Sequence, residues 1–169
     1  PMKPFKLSSA TLLGCLIWVA SVNADEPALF TTQSLTPETA LKAVTAAMDK
    51  CRAEGYQVSG AVVDRMGNMQ AMIRDRFAGA HTPETARRKA WTAASFRTNT
   101  TDLVDPTQSG EAQSGVRHVS GALMLGGGML IDAAGSGVGA IGVSGAPNGT
   151  ADDLCAAAGI AAIEDDISF

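Results

Sequence analysis

Twice in this chain a threonine, a proline and a glutamate stand in a row, at Thr36-Pro37-Glu38 and again at Thr82-Pro83-Glu84. Each triplet is a helix-start signal. The hydroxyl caps free N–H groups, proline tolerates the first turn, and the acid sits at the positive end of the helix dipole. After the first triplet Leu41, Val44, Met48 and Cys51 recur at helical spacing until Gly55. After the second, Ala86, Ala90, Ala93 and Ala94 offer a small-residue face for close packing on a sheet, to about Phe96. Between them Gln57 to Asp64, with Val58, Ala61, Val62 and Val63, predicts a strand. Asp64-Arg65-Met66-Gly67-Asn68 makes a tight turn, and Met69 to Arg74 pairs back as a hairpin.

The second half is built from smaller residues. Thr98 to Gly115 is polar and weakly patterned, a loop with short helical turns. Three short strands are expected at Ala122–Leu125, Met129–Asp132 and Val138–Ser144, separated by Gly126-Gly127-Gly128 and Ala133-Ala134-Gly135. Thr150-Ala151-Asp152-Asp153 is read as the cap of a last helix, with Leu154, Ala158 and Ala161 facing inward. Helix, hairpin, helix, meander, helix is an α+β order around an antiparallel sheet, with one domain over residues 36–169.

The N-terminal residues read as a cleavable leader, 1–24. Lys3 and Lys6 precede an apolar run from Ala10 to Ala20, and Val22-Asn23-Ala24 supplies small residues ahead of Asp25. The run is shorter than the roughly 20 residues needed to span a bilayer of about 30 Å. A buried core helix is one alternative. A lipid-bearing Cys15 in Leu12-Leu13-Gly14-Cys15 is another, but the apolar run continues beyond it. The expected location is therefore periplasmic or secreted, with residues 25–35 a loose polar arm. Losing Lys3 and Lys6 takes the formal net charge from −4 to −6. An acidic surface excludes an electrostatic footprint for nucleic acid, and 5% aromatic content leaves little to stack bases on. In an oxidising compartment the two remaining cysteines, Cys51 and Cys155, form either a bridge between two helices or a pair of buried free thiols. Their spacing fits no metal motif.

Several patterns are weighed against simpler readings. Gly135-Ser136-Gly137-Val138-Gly139-Ala140 spells a dinucleotide fingerprint, but a strand follows it where that chemistry needs a helix. The stretch Gly142 to Gly149 runs into a helix, so it is either an anion-receiving loop or a plain connection. Ser144 lacks the setting of a hydrolase nucleophile. Met66, Met69 and Met72 read as core filling rather than copper ligands. The two histidines are the candidate iron ligands. His81 lies in a small-residue loop where a flat ligand has room, and its alternative is an exposed residue capping the helix. His118, before a strand, is the weaker candidate, and the two together lack the further ligands of a zinc site. Arg76, Arg87, Arg88 and Arg117 are possible carboxylate partners, and the cluster Arg87-Arg88-Lys89 otherwise reads as a solvated helix face.

Five blocks of the chain resemble those of one family. Ala61-Val62-Val63-Asp64-Arg65-Met66-Gly67-Asn68 is similar to its strand–turn signature, and Ala86-Arg87-Arg88-Lys89-Ala90-Trp91-Thr92-Ala93-Ala94 to its Lys-Ala-x-Thr-Ala helix. Leu125-Gly126-Gly127-Gly128 and Val138 to Gly145 are similar to its glycine-rich blocks, and Asp152 to Gly159 to its closing helix. The family is GlcG/HbpS, related to the C-terminal domain of PduO proteins. The resemblance implies a five-stranded antiparallel sheet flanked by helices, and assembly into homo-oligomers. It also implies haem as cofactor, with His81 as the metal ligand, His118 a weaker candidate, and Arg87, Arg88 and Lys89 holding propionates. Haem sequestration, storage or sensing is the implied role, with a membrane sensor or a periplasmic redox protein as partner. The alternatives are a non-haem small-ligand module and a haem-degrading or peroxidase-like enzyme. The Asp-Gly-Ala that family members often carry after the second strand is read as missing its acid here, replaced by Phe77-Ala78-Gly79-Ala80.

Overall fold

The computed structural model describes residues 27–168, so the expected leader and the start of the arm lie outside the described residues. By its contacts the chain divides into Pro1–Thr31 and Thr32–Phe169, and residues 27–31 form no helix or strand. In the second unit Thr36 caps helix α1, Pro37–Ala53, its hydroxyl accepting from the Thr39 N–H at 3.2 Å. Leu35, the last residue of the expected arm, is buried in the core.

Strand β1 (Ser59–Asp64) and strand β2 (Met69–Arg74) form the expected hairpin, and helix α2 (Thr82–Phe96) follows. Short 3-10 turns occupy Thr100–Leu103 and Ser114–His118 in the polar stretch. Strands β3 (Gly128–Ala133) and β4 (Ser136–Ser144) then pair antiparallel, and β4 crosses to pair with β1. Helix α3 (Gly149–Ala161) and a short α4 (Glu164–Ile167) close the chain.

The sheet has four strands in the order β2-β1-β4-β3, not five. The segment Ala122–Leu125 is not a strand, because other groups take its backbone hydrogen bonds. Ala122 O accepts from Arg88, and Leu123 N donates to the Thr92 hydroxyl, so the segment is bound to α2 instead of to a sheet edge. The run Gly135–Ala140 is a turn and the start of β4, with no helix opening on it.

One face of the sheet, with Val58, Val62, Ile141 and Val143, packs against α1 and α3 and carries the larger core. Cys51 of α1 and Cys155 of α3 are joined there by a disulfide, with Cα atoms 5.5 Å apart, which resolves the pairing in favour of the bridge. The other face is made of small residues, Val63 and Ala140 against Ala90, Ala93 and Ala94 of α2. A Cβ on Gly142 would lie 2.1 Å from the Ala86 carbonyl oxygen, so helix and strand touch backbone to backbone.

Two expectations about burial are corrected. On α3 the inward residues are Asp152, Cys155, Ala156 and Gly159, while Leu154 is 60% exposed, because the helix begins at Gly149 and sets a different phase. Met66, Met69 and Met72 are exposed rather than core residues, since β2 is an edge strand and Met66 sits in its turn. No helix among the described residues is long and apolar enough to cross a membrane.

Candidate functional site

The site is built where β2 hands the chain to α2. Asp75, which the sequence reading passed over, is buried at the start of this connection. Its carboxylate accepts two hydrogen bonds from Arg52 of α1, at 2.9 and 3.0 Å. The Arg52 guanidinium holds that carboxyl below the usual carboxylate range. The Asp75 N–H donates to Val58 O, and its carbonyl accepts from Ala78 N. Arg74 also donates to the Ala78 carbonyl. The connection is thereby fixed along its length before it reaches His81.

His81 occupies the N-cap position of α2, but its side chain caps nothing. Among the described residues its imidazole makes no hydrogen bond, while its carbonyl accepts from Thr85. A Cβ on Gly79 would lie 2.8 Å from the imidazole Cε1, so glycine is what lets the ring stand there. Thr82, expected as the cap, instead donates its hydroxyl to Gly79 O at 2.8 Å. With that proton committed, Ser59 Oγ is the donor in the buried 2.7 Å contact between the two hydroxyls. The second Thr-Pro-Glu triplet therefore ties the loop to the sheet and leaves the helix end open.

His81, Thr82, Arg88 and Lys89 line one side of a cavity of about 500 Å³. Leu123 and Leu125 form another side, held by Arg88, which donates to Gly121 O and Ala122 O. The connection from Ser144 to Gly149 and Asp152 of α3 complete it. This volume lies within the roughly 300–1,000 Å³ of small-molecule sites. The hollows around Ala133 and Ile167 and along the outer face of α1 have no histidine in their walls.

The N-termini of two helices, α2 and α3, open on this cavity, each the positive end of its dipole. Its ionised walls are Arg88, Lys89 and Asp152, a net positive lining in a chain of net charge −4. Lys89 is 1% exposed and donates to Asp152 Oδ2 at 2.8 Å and to Val143 O at 2.9 Å. Asp152 Oδ1 accepts from the Ala146 N–H at 3.0 Å. Burial pushes the Asp152 carboxyl above its ordinary value, against the pull of Lys89 and Ala146. Gly127, at φ 111°, passes so close that a Cβ there would meet Val143 O, Asp152 and the Lys89 ammonium within 2.8 Å.

Of the residues singled out from the sequence, the cavity collects His81, Arg88, Lys89, Ser144 and the Gly145 to Gly149 part of the connection into α3. Lys89 is a buried structural cation, not a member of a solvated face. Arg87 is outside the cavity wall, paired with Glu84 at 2.7 and 2.8 Å. His118 lies exposed in the second 3-10 turn, away from the wall, and Arg117 beside it donates to Thr107 O and Val104 O. Among the described residues no group of three His, Cys, Asp or Glu side chains is placed to hold a bare metal ion. The sequence reading missed Asp75 and the ion-pairing role of Asp152. The signal for the buried pair is present in the sequence: Ala86, Lys89, Ala90 and Ala93 share one helix face, the small-residue face that packs on the sheet.

Comparison with known proteins gives one consistent result. A family model described as haem degrading protein HbpS-like matches residues 35–161. A crystal structure of HbpS is 39% identical, covering 79% of this chain and 93% of that one, with a TM-score of 0.75. A double mutant of the Streptomyces reticuli HbpS is 35% identical, covering 94% and 97%, with a TM-score of 0.74. A PduOC:heme complex is 30% identical, covering 77% and 95%, with a TM-score of 0.72. No curated protein sequence matches the chain.

Proposed function

The chain belongs to the HbpS-like family, and from that premise we propose that it binds haem in the cavity between the N-termini of α2 and α3, with His81 as the iron ligand. One observation carries the reading: an imidazole with no hydrogen bond among the described residues stands over Gly79 on the wall of a cavity large enough for a cofactor. The rest of the lining fits the same group. Leu123, Leu125 and Pro147 give apolar surface for a flat ring, and the positive lining suits a ligand that carries carboxylates.

When bound, haem would supply iron redox and ligand chemistry. The protein's part is to hold His81 through the Asp75–Arg52 clamp and the Thr82–Gly79 bond, and to keep the α3 connection in place through Asp152. Haem sequestration, storage or sensing by an exported homo-oligomer completes the proposal. Export is supported by the leader pattern and by the disulfide, and assembly by the family resemblance. A sensor or redox partner would then read the loaded state. Haem degradation is the second reading, favoured by the description of the family model.

Haemin titrated into the oxidised protein is expected to give a saturable Soret shift at a fixed stoichiometry, and a linear, unsaturable change would overturn the proposal. Loss of that Soret band with a reductant and oxygen, faster than for free haemin, would favour degradation over storage. Sedimentation at micromolar concentration is expected to show an oligomer, and a monomer mass would contradict the assembly.

A further inference from the structure

Strand β4 alternates its faces, so Ala140, Gly142 and Ser144 look the same way. Ala140 packs on Ala90 and Ala93, and Gly142 touches the backbone at Ala86, so that face is the one covered by α2. Ser144 is thus a hydroxyl beneath the helix, 5% exposed and on the cavity wall. Its neighbour across the ladder, Ser59, places its own hydroxyl on Thr82. The Ser144 hydroxyl makes no hydrogen bond among the described residues, and since Gln57 Oε1 is the side-chain polar atom there that is both fully buried and unpaired, the serine oxygen keeps access to the cavity it lines.

The chain continues from Ser144 into the start of the 13-residue helix α3. There the Asn148 side chain accepts from Ala151 N, and the Asn148 carbonyl accepts from Asp152 N. Capping stops at those two. The N–H groups of Asn148 and Gly149, both in the cavity wall, have no acceptor among the described residues. The nearest acid does not serve them, since both Asp152 oxygens are engaged by Lys89 and Ala146. A hydroxyl without a hydrogen-bond partner, on a residue 5% exposed, and a helix N-terminus with open donors therefore line the same cavity, an arrangement suited to an anion.

We propose, on the haem reading above, that this end is a carboxylate subsite: Ser144 Oγ and the N–H groups of Asn148 and Gly149 donate to one carboxylate of the ligand. The subsite separates the two arginines of the helix from that task. Arg87 is held by Glu84, and Arg88 spends its Nε and one terminal nitrogen on the carbonyls of Gly121 and Ala122.

The test compares haemin with its dimethyl ester, which lacks both carboxylates, in the full oxidised protein and in Ser144→Ala, Ser144→Thr and Arg88→Gln. Ser144→Ala is expected to weaken haemin about tenfold, the scale of one hydrogen bond to a charged group, while leaving the ester unchanged. Ser144→Thr, which keeps the hydroxyl, is expected to restore haemin affinity. Equal weakening of haemin and ester by Ser144→Ala would assign the serine a packing role and overturn the subsite. So would no weakening of either, or a loss seen with haemin but not with the ester and found only in Arg88→Gln. Absence of any saturable haemin shift in the wild type would overturn the haem reading itself and the subsite with it.

Discussion

Thr36-Pro37-Glu38 and Thr82-Pro83-Glu84 open two helices with the same three residues, yet the two helix ends are built differently. At α1 the threonine stands one position before the helix, caps it, and leads into a face of Val44, Met48 and disulfide-bonded Cys51. At α2 the helix begins one residue earlier relative to the triplet, so Thr82 lies inside it and His81 takes the cap position without capping. The hydroxyl is drawn to Gly79 O and Ser59, and the end stays open to the cavity. A local signal sets where a helix starts, while the sheet beneath decides whether that start is closed by its threonine or left uncapped beside a cavity.

Substitutions can break this comparison, and the largest effect is expected at the cavity. Asp152→Ala leaves the Lys89 ammonium buried without its partner and is expected to cost about 4 kcal/mol in urea unfolding. Replacing both by apolar residues of similar size is expected to cost much less, because the pair's own desolvation disappears with it. Thr82→Val removes the bond to Gly79 and strands the Ser59 hydroxyl, for about 2 kcal/mol. Thr36→Ala removes only a cap, for about 1 kcal/mol. If the two threonine variants cost the same, the distinction between the closed and open helix ends fails.

Acid sharpens the same contrast. Asp75 has its carboxyl held low by Arg52, so its stabilising contribution is present above the ordinary carboxylate pKa of about 4 and is lost as pH falls through the lower folded value. Asp152 has its carboxyl pushed up by burial, so its titration works in the opposite direction and lowers stability as pH rises through the raised folded value, while the charged form keeps its bonds to Lys89 and Ala146. Unfolding free energy followed from pH 3 to 7 is therefore expected to lose part of its acid-side fall in Asp75→Asn. A fall identical to the wild type would show that the clamp on the His81 connection carries no stability.

Much of the frame was legible in local pattern. The start of α1, the β1–β2 hairpin and the small-residue face of α2 follow from capping chemistry and periodicity, whereas α3 is capped by Asn148, two residues before the Thr150 that the sequence points to. The four-strand count was not legible, because Ala122–Leu125 has strand composition and lost its ladder to Arg88 and Thr92, partners distant in sequence. Lys89 was hidden by its neighbours: three consecutive basic residues look like a solvated face, although only Lys89 falls in phase with Ala86 and Ala93. Asp152 sits in the first turn of α3, where an acid is already explained by the dipole, so nothing local points to its buried partner 63 positions earlier. His81 was legible as a residue with room around it. That it is freed from capping follows only from the tertiary pull on Thr82.

His81→Ala is expected to change stability the least, within about 0.5 kcal/mol, since the ring is exposed and caps nothing. That makes it the sharpest probe of the central claim. Haemin titrated into wild type and His81→Ala, at equal thermal stability, should give a saturable Soret shift in the first and a lost or displaced band in the second. An unchanged band and affinity in His81→Ala would contradict the account and move the iron ligand away from the open end of α2.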